Sequence, residues 1–210
     1  MTKRISYKKK LKLPIGSKDY IAFVGPLENA DIYSALQFNL MTSLGLREFH
    51  SLLDIGCGSL RAGKLFIPYL LTNKYYGLDP EKWLIDEGIK NETGKDIIKI
   101  KKPHFSYSKN FRLSSFNKKF DFLLAQSVFS HAATSQIVRC LSEAKKVMKT
   151  RSIFVANYFK GNKNYQGNKW VYPECVTYTS KFMSSLVNRY GFDYKEIDWP
   201  HPNQLTWFLL

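Results

Sequence analysis

With 210 residues, 44% of them hydrophobic, the chain suits a single domain able to bury a full core. No run of about 18 apolar residues is present, which excludes a membrane-spanning helix, and three cysteines without paired spacing exclude a disulfide framework or a zinc site. A formal charge of +15 favours polyanions such as nucleic acid, an acidic membrane surface or an acidic glycan, although most of the excess is lysine, which compositional drift also produces.

Taken in order, Thr2 to Lys12 is basic but lacks the apolar stretch and cleavage site of a signal peptide, so it reads as a solvated tail and a cytoplasmic location is expected. Residues 1–27 comprise this tail and a lead-in segment whose turn, Phe23-Val24-Gly25-Pro26, faces the mouth of the expected site; residues 28–210 form one domain. Residues 31–46 read as an amphipathic helix, with Tyr33 and Gln37 on one face and Ile32, Leu36, Leu40 and Leu44 elsewhere. Leu52 to Ile55 is a buried strand that passes through Gly56-Cys57-Gly58-Ser59 into an amphipathic run. A second strand, Tyr75 to Leu78, is closed by Asp79. A helix around Glu81 to Lys90 leads through a lysine-rich polar link to a short strand near His104 to Tyr107, ending at Lys109-Asn110-Phe111.

Phe120 to Ala125 is a buried strand running through Gln126-Ser127 to His131 and into a helix. Its apolar positions Ile137, Val138, Leu141, Ala144 and Met148 recur at helical spacing. Ser152 to Asn157 is the next strand. The long polar segment Tyr158 to Val176, holding Gly161, Gly167 and Pro173, is the candidate acceptor loop, since such a connection in a compact domain is usually functional. Thr179 caps a helix through Tyr190, Gly191 ends it, and strands Phe192 to Ile197 and Leu205 to Leu210 close the chain.

The chemistry is concentrated around the first two strands. Glycines at 56 and 58 allow a tight strand-to-helix turn and close backbone approach by a ligand. Asp79 follows Gly56 by 23 residues, a spacing at which a carboxylate accepts hydrogen bonds from a ribose hydroxyl pair. A dinucleotide fingerprint would need glycine where Arg61 stands, and a phosphate-binding loop would need a Gly-Lys-Ser/Thr end that is absent. A nucleoside without pyrophosphate fits best.

Leu52-Leu53-Asp54-Ile55-Gly56-Cys57-Gly58 resembles motif I of class I S-adenosylmethionine-dependent methyltransferases, Gly77-Leu78-Asp79-Pro80 resembles their motif II, and Phe120 to Ser127 resembles motif IV. Many members carry a third glycine where this chain has Leu60. The resemblance spans about Ser51 to Leu210. It implies a Rossmann-like α/β fold with a seven-stranded, mostly parallel sheet, an antiparallel C-terminal hairpin, helices on both faces and residues 31–46 as a lid helix.

It implies S-adenosylmethionine as cofactor. Gly56, Cys57, Gly58 and Ser59 are expected along its methionine and ribose portions, Asp79 on the ribose and Arg61 on the carboxylate. Tyr33 and Gln37 are expected near methionine, Asn110 and Phe111 near adenine. Trp83 is read either as core or as a wall of the adenine pocket, and Asp54, Pro80, Gln126 and Ser127 complete the set. Asp79 before Pro80 also suits a helix cap, and Arg61 also suits a solvated first turn.

Relatives that methylate amines or bases often carry Asp/Asn-Pro-Pro-Tyr at motif IV, whereas this chain has Ala125-Gln126-Ser127-Val128. The resemblance therefore favours O-methylation of a sugar, a glycan or another small hydroxylated acceptor. The alternatives are a nucleic-acid methyltransferase using the basic surface and an inactive cofactor-binding scaffold. A hydroxyl acceptor must shed a proton, a task suited to histidine; His131 is the first candidate and His201 the second. No His/Asp/Glu cluster has ligand spacing, so no metal is expected.

Overall fold

The computed structural model describes residues 12–210, so most of the basic tail read from Thr2 to Lys12 lies outside the described residues. The described residues form eight strands: β1 (Leu52–Ile55), β2 (Tyr75–Leu78), β3 (His104–Ser106), β4 (Phe120–Ala125), β5 (Met148–Lys160), β6 (Thr177–Tyr178), β7 (Lys195–Ile197) and β8 (Thr206–Leu209). The main path runs β3-β2-β1-β4-β5-β8-β7, with two-residue β6 pairing beside β5. Ile55 lies opposite Leu78 and Asp54 opposite Leu124 in parallel ladders, whereas β8 runs antiparallel to β5 and β7. This is the mostly parallel sheet with an antiparallel C-terminal pair that the sequence predicts.

Among the described residues, six α-helices accompany the strands: α1 (Ala30–Ser43), α2 (Gly63–Tyr69), α3 (Lys82–Gly88), α4 (Lys95–Lys101), α5 (Thr134–Val147) and α6 (Ser180–Arg189). Successive strand residues point to opposite faces, and this alternation splits the core in two. Leu53, Ile55, Leu123 and Phe154 meet Ile137 and Leu141 of α5 and Met183 and Val187 of α6. Leu52, Leu124, Val155 and Trp207 meet Leu40 and Met41 of α1 and Phe66 and Ile67 of α2. Thr179 Oγ1 accepts the Phe182 amide at 3.1 Å and caps α6.

Several elements differ from the sequence reading, among them α1, which ends at Ser43, and β7, which starts at Lys195. The lysine-rich link contains α4, because Ile97 and Ile98 pack on the α1 and α2 side while the lysines stay outside. The helix near Glu81 is α3, extended by a π turn over Ile89–Thr93. Strand β5 begins at Met148, which therefore belongs to the sheet and not to α5, and continues to Lys160.

The sheet order reverses between β1 and β4, so the crevice beyond their carboxyl ends is where an open α/β sheet takes a ligand. Among the described residues, no helix is long and apolar enough to cross a membrane.

Candidate active site

A cavity of about 450 Å³ opens at this crevice, within the size range of small-molecule sites. Its floor is the turn after β1. Gly56 and Gly58 have φ of +75° and +51°, and a Cβ would stand 2.7 Å from Val128 Cγ2 at the first and 2.9 Å from Val24 Cγ1 at the second. Neither position has room for a side chain, and both glycines line the cavity as bare backbone. Leu60 also lies in the left-handed region, at φ +61°, the conformation glycine adopts without strain. The position where many relatives carry glycine keeps the glycine-like backbone here.

Asp79, at the end of β2, lines the cavity and is buried. Its Oδ2 accepts the Gly58 amide at 2.9 Å and its Oδ1 the Glu81 amide at 2.9 Å. Burial pushes the carboxyl up to about 6, against the two amides that favour the charged form. Each oxygen retains a lone pair.

Arg61 lines the cavity beneath the lead-in turn. Its Nη2 donates to Gln126 Oε1 at 3.2 Å, and its guanidinium carbon lies 4.7 Å from the centre of the Tyr33 ring. Among the described residues it has no salt-bridge partner, and burial lowers its pKa.

Asp54 is deeper. It accepts the Tyr75 hydroxyl at 2.7 Å, and burial pushes its carboxyl up to about 7. With Gln37, Cys57, Ser59, Arg61 and Gln126 it lines a polar recess of about 30 Å³ beside the main cavity.

His131 enters the cavity wall from the loop before α5. Its Nδ1 lies 2.9 Å from Val171 O and 2.8 Å from Glu174 O, so Nδ1 carries the proton that these carbonyls accept. Nε2 is left with a lone pair, and burial holds the ring's pKa below the ordinary histidine value. Val171 N also donates to His131 O and Val176 N to Ser130 O, which fastens the candidate acceptor loop to this histidine. Tyr172 meets the His131 ring edge-on at 5.0 Å and Trp170 lies 5.6 Å away. The Tyr172 hydroxyl is buried without a hydrogen-bond partner; burial pushes its pKa up to about 12.

The structure brings most, not all, of the sequence-derived positions to the cavity wall. Pro80, Phe111, Gln126, Ser127 and His131 line it together with Gly56, Gly58, Arg61 and Asp79. Trp83 stands behind Phe23, edge-on at 5.2 Å, and donates to Glu81. Asn110 is exposed beside the loop; its neighbour Lys109 reaches the cavity instead. Tyr33 lies one layer out, bonded to Asn203 and stacked near Arg61.

His201 is also outside the wall. Its Nε2 faces Gln126 Nε2 at 3.2 Å, its Nδ1 accepts the Asn203 amide, and burial with Arg61 lowers its pKa to about 4. Glu81, Leu84, Ser108 and Gln136 line the cavity without having been singled out from the sequence. Their types are ordinary for loops and first helical turns, and only the fold gathers them.

A family model described as "Methyltransferase domain" matches residues 53–156, which run from β1 through the motif IV loop to β5. The chain belongs to the class I S-adenosylmethionine-dependent methyltransferases. Its cofactor is S-adenosylmethionine. The methyltransferase fold is shared with solved structures of low sequence identity. One is a SAM-dependent methyltransferase from Leishmania major, 15% identical, covering 96% of this chain and 79% of that one with a TM-score of 0.69. Another is magnesium protoporphyrin IX methyltransferase from Synechocystis with bound SAH, 11% identical, covering 97% and 90% with a TM-score of 0.63. A third is the glycopeptide N-methyltransferase MtfA, 8% identical, covering 84% and 88% with a TM-score of 0.64. No curated protein sequence matches the methyltransferase.

Proposed function

We propose that the enzyme methylates a hydroxyl oxygen of a sugar or another small ring-bearing acceptor, with His131 receiving the hydroxyl proton. The observation that carries this reading is the fixed tautomer of His131. Two carbonyls hold Nδ1–H, and the basic Nε2 has no partner among the described residues, in a ring that lines the cavity. Trp170 and Tyr172 stand 5.6 and 5.0 Å from the His131 ring, and the acids of the cavity wall, Asp79 and Glu81, follow β2. Aromatic faces suit stacking on a ring, and a neutral base suits receiving a hydroxyl proton.

The donor set also fits the cofactor. On this reading the two glycines admit it, Asp79 accepts paired ribose hydroxyls, and Arg61, which has no salt-bridge partner among the described residues, meets its carboxylate. Pro80, Leu84 and Phe111 supply apolar surface for the adenine ring. When bound, S-adenosylmethionine supplies a methyl on a positively charged sulfur; the carbon–sulfur bond breaks as the carbon–oxygen bond forms. The chain's contribution is to hold an acceptor oxygen roughly 3 Å from that carbon and in line with the breaking bond. His131 Nε2 takes the proton.

The net charge of +15 favours a second reading, methylation of nucleic acid. Incubation of the purified chain with radiolabelled cofactor and panels of hydroxylated sugars, phenols and RNA decides between them. Label on a hydroxylated small molecule is expected. Label on RNA alone, abolished steeply by added salt as phosphate contacts require, would replace the proposal with the second reading.

A further inference from the structure

Asn157 is fully buried on β5, in a run of apolar neighbours, Val155, Ala156 and Tyr158. Its Oδ1 accepts the Ser127 amide at 2.7 Å, while its Nδ2 has no partner. Trp207 stands opposite Asn157 in the antiparallel ladder, which puts both side chains on one sheet face, and its buried indole N–H is unpartnered as well. An apolar side chain at 157 would relieve an orphaned donor, and buried donors of this kind are rare in folded proteins. The amide is therefore not explained by the stability of its own surroundings.

Its one hydrogen bond reaches a strained place. Ser127 has φ +55°, a conformation uncommon for residues other than glycine and characteristic of functional turns. The Ser127 hydroxyl accepts Gln126 Nε2 at 2.6 Å, and Gln126 Oε1 accepts Arg61 Nη2 at 3.2 Å. A relay of hydrogen bonds thus runs from the sheet through the turn after β4 to the guanidinium in the cavity. Gln126, Ser127 and Arg61 all line that cavity.

We infer that Asn157 is a positioning residue. Its side-chain oxygen holds the Ser127 turn in the left-handed conformation that presents Gln126, and through it Arg61, to the cofactor. The inference rests on the cofactor placement proposed above. It makes Asn157 part of the active-site construction although it does not line the cavity.

The test compares the full-length wild type with Asn157→Leu and Asn157→Asp. Three quantities are read: hydrogen exchange at the Ser127 amide, calorimetric affinity for S-adenosylhomocysteine, and the thermal midpoint. In Asn157→Leu the Ser127 amide is expected to lose protection and affinity to fall about tenfold, with little change in midpoint because loss of the orphaned Nδ2 donor offsets loss of the Ser127 amide's acceptor. Asn157→Asp keeps an acceptor oxygen and is expected to retain both protection and affinity.

An Asn157→Leu protein with unchanged Ser127 exchange would overturn the inference. So would a lower midpoint with unchanged affinity, which marks a residue that only supports the fold. Failure of the cofactor placement itself would show separately, as a wild-type chain that does not bind, while the exchange comparison still decides whether Asn157 holds the turn.

Discussion

His131→Ala is expected to lower turnover by about 10²–10⁴-fold, the usual contribution of a positioned general base, while leaving affinity for S-adenosylhomocysteine unchanged. The separation follows from geometry. His131 lines the cavity beside Trp170 and Tyr172, whereas Asp79 is held by the Gly58 and Glu81 amides, and the two side chains share no hydrogen-bond partner among the described residues. Its removal deprives the carbonyls of Val171 and Glu174 of a donor. The backbone bonds Val171 N to His131 O and Val176 N to Ser130 O survive, so the loop stays attached.

The pH dependence has a definite sign. On the proposed reading the neutral ring is the base, and it is populated above its pKa, which burial holds below 6.5. Turnover of the wild type should therefore be lost as pH falls through a value below 6.5, and the alanine variant should lack that limb. Undiminished turnover in the variant would remove His131 from the reaction.

Asp79→Ala is expected to weaken binding of S-adenosylhomocysteine by about 10²-fold. Hydrogen bonds to a charged group contribute roughly 1.5–3 kcal/mol, about 10- to 150-fold in affinity. The substitution also releases the Gly58 and Glu81 amides, which loosens the turn that forms the cavity floor. Asp79→Asn keeps one acceptor oxygen and should lose less. Because burial raises the Asp79 carboxyl to about 6 and the charged form is the better acceptor, affinity should decline as pH drops through that value. Titration of both variants reads the effect, and an alanine variant with wild-type affinity would remove the ribose role.

Much of this architecture is written locally. The apolar runs at Leu52, Tyr75 and Phe120 are bounded by Gly56, Asp79 and Gln126, so strands β1, β2 and β4 can be delimited to the residue. Thr179 and Gly191 bracket the last helix in the same way, with Gly191 at φ +75°. Helix α4 was obscured because its lysines dominate the composition, while only Ile97 and Ile98 face inward. In α1 the apolar pattern was misleading, since Ile32 is 49% exposed whereas Ser34 and Gln37 are buried. The N-terminal part of that face meets polar groups, Ser34 Oγ donating to Arg61 O and Gln37 lining the recess, while Leu40 and Met41 further along it enter the core.

The site was less legible than the fold, because its acceptor end is assembled by contacts distant in sequence. His131 is separated from Tyr172 by 41 residues, and their approach depends on backbone bonds between two loops. His201 was drawn toward catalysis by its loop, yet the fold sets it behind Gln126. Asn157 left one signal in the sequence, a polar residue in an otherwise apolar strand, whose meaning emerges only from its bond to Ser127.

The most direct test of the account is calorimetric titration of the purified wild-type chain with S-adenosylhomocysteine, with NAD as control. The arrangement of Gly56, Gly58, Arg61 and Asp79 predicts micromolar binding of the first and none of the second. Absence of binding to S-adenosylhomocysteine, or equal binding of NAD, would contradict it.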